Sequence, residues 1–219
     1  MIIIDSTYFE GGKLAIPQAV SNTSITGNAP TIVVELNSYI DKYEEQLLKN
    51  AIGHANYDAL NTAIGANPEL DAPGNEIWDA LVNGKVYTYE STQVEWKGLR
   101  QTFGTIKTSL IANYVYYHFL KDDSETYTTT GIVTNKASNA DRQDPNVKLV
   151  EVWRDFIKQY QYGHETCPRL LTNSWGAYGV DWYGSQMNAD RSLYQFLRDN
   201  DDYGTYTFHV YDQRNTLGL

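Results

Sequence analysis

Cysteine is all but missing from this chain: Cys167 stands alone among 219 residues. A single thiol excludes an intrachain disulfide and any zinc cage built on several thiolates. Its plain reading is a small apolar filler, because a nucleophilic thiol needs a partner base. Basic charge is also scarce. Seventeen Lys and Arg stand against 27 Asp and Glu, a formal net charge of −10, so the footprint of a nucleic-acid binder is missing. Long apolar runs are missing too. The opening "MIIIDSTYF" meets Asp5 after three isoleucines, without the basic and apolar regions of a signal peptide. The apolar stretch 109–120 lies between Lys107 and Lys121, too short for a span of ~20 residues. A soluble chain made in a reducing cytoplasm is expected.

Catalytic signatures are equally sparse. His54, His118, His164 and His209 are far apart and lack H-E-x-x-H spacing. "HETC", residues 164–167, lacks the further Cys-x-x-Cys of a zinc deaminase. No G-x-S-x-G elbow occurs, and "GGK" at 11–13 and "NGK" at 83–85 lack the spacing and Ser or Thr of a P-loop. Asp199, Asp201 and Asp202 could approach a calcium ion, but without EF-hand spacing or its terminal Glu. The expectation is no enzyme, no cofactor and no metal.

Tyrosine is abundant: 18 residues, with five tryptophans. An apolar ring with a polar tip suits interfaces, half-wet packing and sugar platforms. Residues 1–30 show turn signals and two stretches, "MIII" and "KLAI", that could be short strands; they read as an extended N-terminal arm. In 31–53, Val33, Leu36, Ile40, Tyr43 and Leu47 step by 3 and 4, one helical face. Gly53 suits its C-terminal cap. Tyr57, Leu60 and Ile64 repeat the pattern up to Gly65. "NEIWDALVNG" predicts a short helix with Asn75 as N-cap, and "KVYTYESTQVEW" a hairpin.

A long helix is predicted from about Lys97, with Leu99, Phe103, Ile106, Leu110, Tyr114 and Tyr117 on one stripe. Ile111, Val115 and Phe119 fall on its far side. A helix that is apolar on two faces must be covered on both: either it is the central helix of a bundle, or one face meets another protein, and the second reading is the one preferred. The Thr-, Ser- and Asn-rich stretch 122–143 has no helical period. It reads as a protruding hairpin or an arm that orders on a partner. Asp144-Pro145 opens the next helix. Val147, Val150 and Ile157 form one stripe on it, Leu149, Trp153, Phe156 and Tyr160 the adjoining one, and Gly163 ends it. An irregular aromatic segment follows, then a short helix in "ADRSLYQFLRDN", a strand in "YGTYTFHVY" and a tail. The predicted class is mainly α: a helical bundle over 31–163 with a small β-hairpin and long extended arms and loops. Residues 164–219 are expected to pack on the same domain.

The order of these stretches is itself informative. "YIDKYEEQLLKNAIG", "IWDALVNGKVY", "VEWKGLRQTFG", "SLIANYVYYHFLKD", "TYTTTGIVTNKASNADR", "VEVWRDF", "SLYQFLRDN" and the closing "NTLGL" together resemble the small head–tail connector (adaptor) proteins of tailed phages of Bacteroidetes-type hosts, including the crAss-like phages. The resemblance spans roughly residues 32–219 and rests on packing and loop motifs. It implies a structural virion protein of the phage neck, assembled as a dodecameric ring that docks on the portal and meets the next neck or tail ring. Genome DNA would pass through the lumen without sequence-specific binding, and a negative lining would avoid long-lived phosphate contacts. The threonine-rich loop of that family matches Thr126 to Arg142. The resemblance thus makes Thr126, Tyr127, Thr128, Thr129, Thr130, Gly131, Ile132, Val133, Asn139 and Arg142 assembly contacts, and the far helix face adds Val115 and Phe119. Head-to-tail rings use two different surfaces per protomer. The alternative is a carbohydrate-binding virion accessory on a platform of Trp175, Tyr178, Trp182 and Tyr183; a small hydrolase rests on no motif.

Overall fold

The computed structural model describes residues 3–17, 19, 31–124, 126–128, 131–133, 145–162, 190–204 and 207–212. The class is mainly α with small antiparallel hairpins. The helices are α1 Thr31–Ala66, α2 Glu76–Asn83, α3 Leu110–Ser124, α4 Pro145–Gln161 and α5 Leu193–Asp199. Among the described residues, three two-stranded sheets pair β1 Lys85–Tyr89 with β2 Thr92–Trp96, β3 Gln101–Phe103 with β4 Ile106–Thr108, and β5 Thr126–Thr128 with β6 Gly131–Val133. Contacts divide the chain into two compact units, and α1 and α4 contribute residues to both.

Of the predicted stripe on α1, Leu36, Ile40, Tyr43 and Leu47 are enclosed and Val33 is half-buried. Gly53 sits at a kink inside α1, with φ of 79°. That backbone is available to glycine without the Cβ penalty that other residues meet. α1 is thus two helical segments broken at Gly53, the glycine that the periodicity places at the end of the first helix.

The unit made of residues 2–47, 103–156 and 212–219 is centred on α3. Tyr43 and Tyr39 of α1 meet Tyr114 and Phe119 edge-on, with centroids 5.9 and 5.4 Å apart. From α4, Trp153 lies 4.6 Å from Tyr117 and Phe156 lies 5.0 Å from Tyr114. On a third side Phe9 stacks on Tyr116. The described N-terminal residues, 3–17 and 19, are not an extended arm or a pair of strands. Residues 6–9 and 12–14 are 3-10 turns, and Ile3, Ile4, Tyr8, Phe9, Leu14, Ile16 and Ala19 are buried. Alternation of apolar groups in so short a stretch cannot separate a strand from a folded-back turn, and burial of six large side chains decides for the latter.

The long helix expected from Lys97 begins only at Leu110. Gly98 and Gly104 take φ of 84° and 63°, and the chain between them and Ser109 runs as the β3–β4 hairpin. Leu99, Phe103 and Ile106 are therefore not helical, although their spacing fits a helical stripe. Gly98 also packs back to back with Gly84. A Cβ at Gly84 would lie 2.6 Å from the carbonyl oxygen of Trp96, and one at Gly98 2.6 Å from that of Val82. The close approach lets Arg100 N–H donate to the same Val82 carbonyl at 2.8 Å.

The second unit comprises Met1, residues 48–102 and 157–211. Its hydrophobic centre stacks Trp96 on Phe196 at 5.4 Å, with Tyr87 and Tyr203 against the same ring. Trp96 Nε1 donates to Leu81 O, and Tyr203 OH to Ile77 O, so both polar tips are satisfied. Asn75 stands at the N-cap position of α2 but makes no side-chain cap bond. Ser192 closes a capping box with Gln195 at the start of α5. The expected strand over "YGTYTFHVY" is absent from its described residues 207–211. That segment is held instead by helix side chains. Gln161 Nε2 donates to Tyr211 O at 2.7 Å and Gln161 Oε1 accepts from Tyr211 N–H at 2.8 Å, a side-chain amide taking the place of a neighbouring strand. Asn50 O accepts from His209 N–H and Tyr160 OH donates to His209 O.

Candidate assembly surface

The residues expected to make assembly contacts fall into three groups. Thr126, Tyr127 and Thr128 pair with Val133, Ile132 and Gly131 in an antiparallel hairpin; the arm thus contains the hairpin its β-prone threonines suggest. Thr129, Thr130, Asn139 and Arg142 lie outside the described residues, as does the aromatic cluster Trp175, Tyr178, Trp182 and Tyr183. Val115 and Phe119 are corrected by the fold. They are 0 % and 8 % exposed within their own chain, so neither offers a face to another one. α3 is apolar all round because α1, α4 and the folded-back N-terminal residues each cover a side of it. The inference that a second chain must cover it does not hold.

In the acidic cluster near α5, Asp199 is engaged by cations of the chain itself. The Asp199 carboxylate is fully enclosed, 3.1 Å from Arg191 Nε and 2.9 Å from an Arg198 guanidinium nitrogen, and it accepts the Tyr87 hydroxyl at 3.0 Å. Burial, then the neighbouring Asp199 charge, pushes the Tyr87 hydroxyl well above its ordinary value. Both guanidinium groups lie over the Tyr89 ring, at 4.8 and 5.7 Å. Among the described residues no group of three His, Cys, Asp or Glu could hold a metal.

His118 is a packing residue. Its ring stacks on Tyr43 at 4.1 Å, with Tyr114 edge-on at 4.6 Å. Its Nε2 is buried without a hydrogen-bond partner, and burial lowers its pKa from 6.5 to about 4. Beside it Tyr39 OH donates to Asp122 Oδ2 at 2.8 Å. Burial first, and that bond second, raise the tyrosine to about 12.

Sequence reasoning passed over Glu44, which sits one position past Tyr43 on α1. It is 1 % exposed. Its carboxylate accepts the Ile3 N–H at 3.0 and 2.9 Å and the Ile4 N–H at 3.1 Å. Burial raises its pKa from 4.5 to about 7, against the lowering effect of those N–H donors. The only signal in the sequence is that Glu44 lies next to the apolar stripe. Nearby, Thr7, Tyr8, Glu10 and Gly11 face Thr105, Ile106 and Lys107 across a groove of about 250 Å³. Lys107 Nζ donates to Thr7 Oγ1 at 2.7 Å across that seam.

No family model, curated protein or solved structure matches this chain. No described helix is long and apolar enough to cross a membrane.

Proposed function

We propose that this chain is a structural subunit of a tailed-phage neck, a head–tail connector (adaptor) that forms a ring on the portal and acts by assembly, not catalysis. Two features support the reading: the order of packing motifs along residues 32–219, and the β5–β6 hairpin. The hairpin carries it. It falls in the threonine-rich arm that the resemblance assigns to assembly, between the helices α3 and α4. A short hairpin is marginal by itself in water, which suits a segment that gains its full order against a neighbouring surface. The helical body then holds the arm in place, and its own core needs no second chain.

The test is mass. Light scattering and native mass spectrometry of the full chain, alone and mixed with a candidate portal ring, should show a discrete oligomer or a portal complex. Replacing residues 125–143 by a short Gly-Ser link should abolish assembly and leave the helical circular dichroism intact. A loopless variant that assembles like the parent would overturn the role of the arm. A full chain that stays monomeric under both conditions would overturn the ring.

A further inference from the structure

The β1–β2 hairpin has two unlike edges. Its turn residues, Glu90 and Ser91, both have positive φ, the type I′ form that closes on a hydrogen-bonded pair, here Tyr89 with Thr92. Bonded and non-bonded pairs alternate along an antiparallel ladder. Tyr87 and Lys85 therefore also turn their main-chain groups toward β2, while Val86 and Thr88 turn theirs away. The facing strand agrees. Glu95, which lies opposite Val86, points its main-chain groups away from β1: its carbonyl accepts the Arg191 N–H at 2.7 Å, and it bridges to Asp190.

The outer edge of β2 is thus met by residues 190–191. Among the described residues, no strand and no hydrogen bond meets the outward N–H and C=O groups of Val86 and Thr88. Both residues are exposed, Val86 at 54 %. The register of Lys85–Tyr89 runs without proline or bulge, and of the devices that blunt a free sheet edge only the Lys85 charge is present. On the opposite face Tyr87 packs on Phe196 and donates to Asp199, so the strand is held in place before anything docks on it. What such an edge recognises is an extended backbone.

We propose that the outer edge of β1 pairs with β1 of a second copy of this chain, antiparallel about a two-fold axis at Tyr87. The strand is self-complementary in that register. Val86 falls opposite Thr88 of the second copy, and Thr88 opposite its Val86. Every outward N–H and C=O group then finds a partner, and the paired side chains are both β-branched. Charge points to the same occupant. Between residues 85 and 90 the only charges are Lys85 at one end and Glu90 at the other. Antiparallel pairing brings each lysine beside the other copy's glutamate, whereas parallel pairing sets Lys85 against Lys85. The contact is small beside the ~800 Å² per partner of a standard interface, so the dimer forms at high concentration. A two-fold contact is isologous and does not rest on the ring reading, whose contacts are head-to-tail.

Sedimentation and amide hydrogen exchange of the full chain, over a wide range of concentration, provide the test. The expected result is a concentration-dependent association in which the Val86 and Thr88 amides become protected. Thr88→Pro removes an outward donor without touching the bonds to β2, and Val86→Lys places a charge on the edge; each should weaken the association about tenfold with unchanged circular dichroism. If the proline variant unfolds, Val86→Lys decides. Lys85→Glu should also weaken the pairing, and adding Glu90→Lys should restore it. A parent without this association, or one whose association survives Val86→Lys unchanged, would overturn the proposal. Protection of Val86 and Thr88 that is independent of concentration would mean that the chain itself covers the edge, and would overturn it equally. Failure of the charge swap to restore pairing would overturn the antiparallel register. A ring in which these amides stay unprotected would refute the pairing and leave the connector reading standing. A β1 dimer that forms no ring would do the reverse.

Discussion

Glu44 and Asp199 are both buried carboxylates, and their surroundings are opposite in kind. Asp199 is met by two guanidinium groups and a hydroxyl. Glu44 is met by main-chain N–H groups of Ile3 and Ile4, with the charge of the chain's own N-terminus a smaller influence. A cation compensates a buried negative charge by Coulombic attraction that acts over distance; a neutral N–H compensates it only through short hydrogen bonds. The first arrangement ties side chains of α5 and the β1–β2 hairpin into a charged cluster. The second leaves a carboxyl whose ionisation opposes folding, at a place where one chain segment docks on another. The contrast separates a fixed joint held by side-chain cations from a carboxyl held chiefly by main-chain N–H groups.

The largest effect is expected at the fixed joint. Asp199→Ala strands the Arg191 guanidinium, whose side chain is only 11 % exposed, together with the Tyr87 hydroxyl. A loss of about 3–5 kcal/mol is expected in urea unfolding, because breaking one side of a buried ion pair leaves the other uncompensated. Glu44→Ala should cost about 2–4 kcal/mol, since it strands two buried N–H groups. If Glu44→Ala proved the costlier of the two, the ranking of cation over N–H compensation would be wrong here.

The pH dependence sharpens the comparison further. The folded pKa of Glu44, about 7, lies above its ordinary 4.5. Between those values the folded state binds more protons than the unfolded, so stability falls as pH rises through the window, by roughly 3 kcal/mol if undisturbed. His118 acts in the opposite sense. Its folded pKa of about 4 lies below 6.5, so the unfolded state binds more protons and stability is lost as pH falls from about 6.5 towards 4. The two slopes oppose each other across their shared range. Glu44→Gln should therefore unmask a stability that rises with pH, and His118→Phe one that falls. Thermal melts of both variants from pH 4 to 8 check this. Identical profiles for the two would remove both groups as the source.

The smallest effect is expected at the turn of the β1–β2 hairpin, which brings Tyr87 and Tyr89 to the Asp199 cluster. Glu90 and Ser91 both adopt positive φ, 46° and 71°, the backbone of a turn that favours Asn-Gly. Ser91→Gly should stabilise by about 0.5–1 kcal/mol, seen as a higher urea midpoint with an unchanged slope. A lower midpoint would show that Ser91 contributes more than its backbone costs.

Much of the helical body was legible in local periodicity. Leu36, Ile40, Tyr43 and Leu47 of the α1 stripe and the Leu149, Trp153, Phe156, Tyr160 stripe of α4 are buried as their spacing implies. Val147 shows the limit of the same reasoning: it shares a helical stripe with Ile157, yet it is 65 % exposed, because a stripe near a helix end can run past the surface that covers it. The β3–β4 hairpin was missed because Leu99, Phe103 and Ile106 fit a helical period, while the decisive residues, Gly98 and Gly104, speak through backbone conformation. Of the candidate site, the hairpin at Thr126–Val133 was readable from its β-prone composition. The enclosure of Val115 and Phe119 was not, since it depends on segments that are distant in the chain, as Tyr39 against Phe119 illustrates.

By itself the sequence determined the class of this protein, the faces of α1 and α4, the kink position at Gly53 and the hairpin in the threonine-rich arm. These follow from short-range sterics and from the repeat of apolar groups along a helix. Only the tertiary structure decided that the N-terminal residues fold back, that α3 is covered by its own chain and that Glu44 is a buried acceptor. Periodicity states which side chains must leave water; which segment covers them is settled by contacts between residues far apart in the chain.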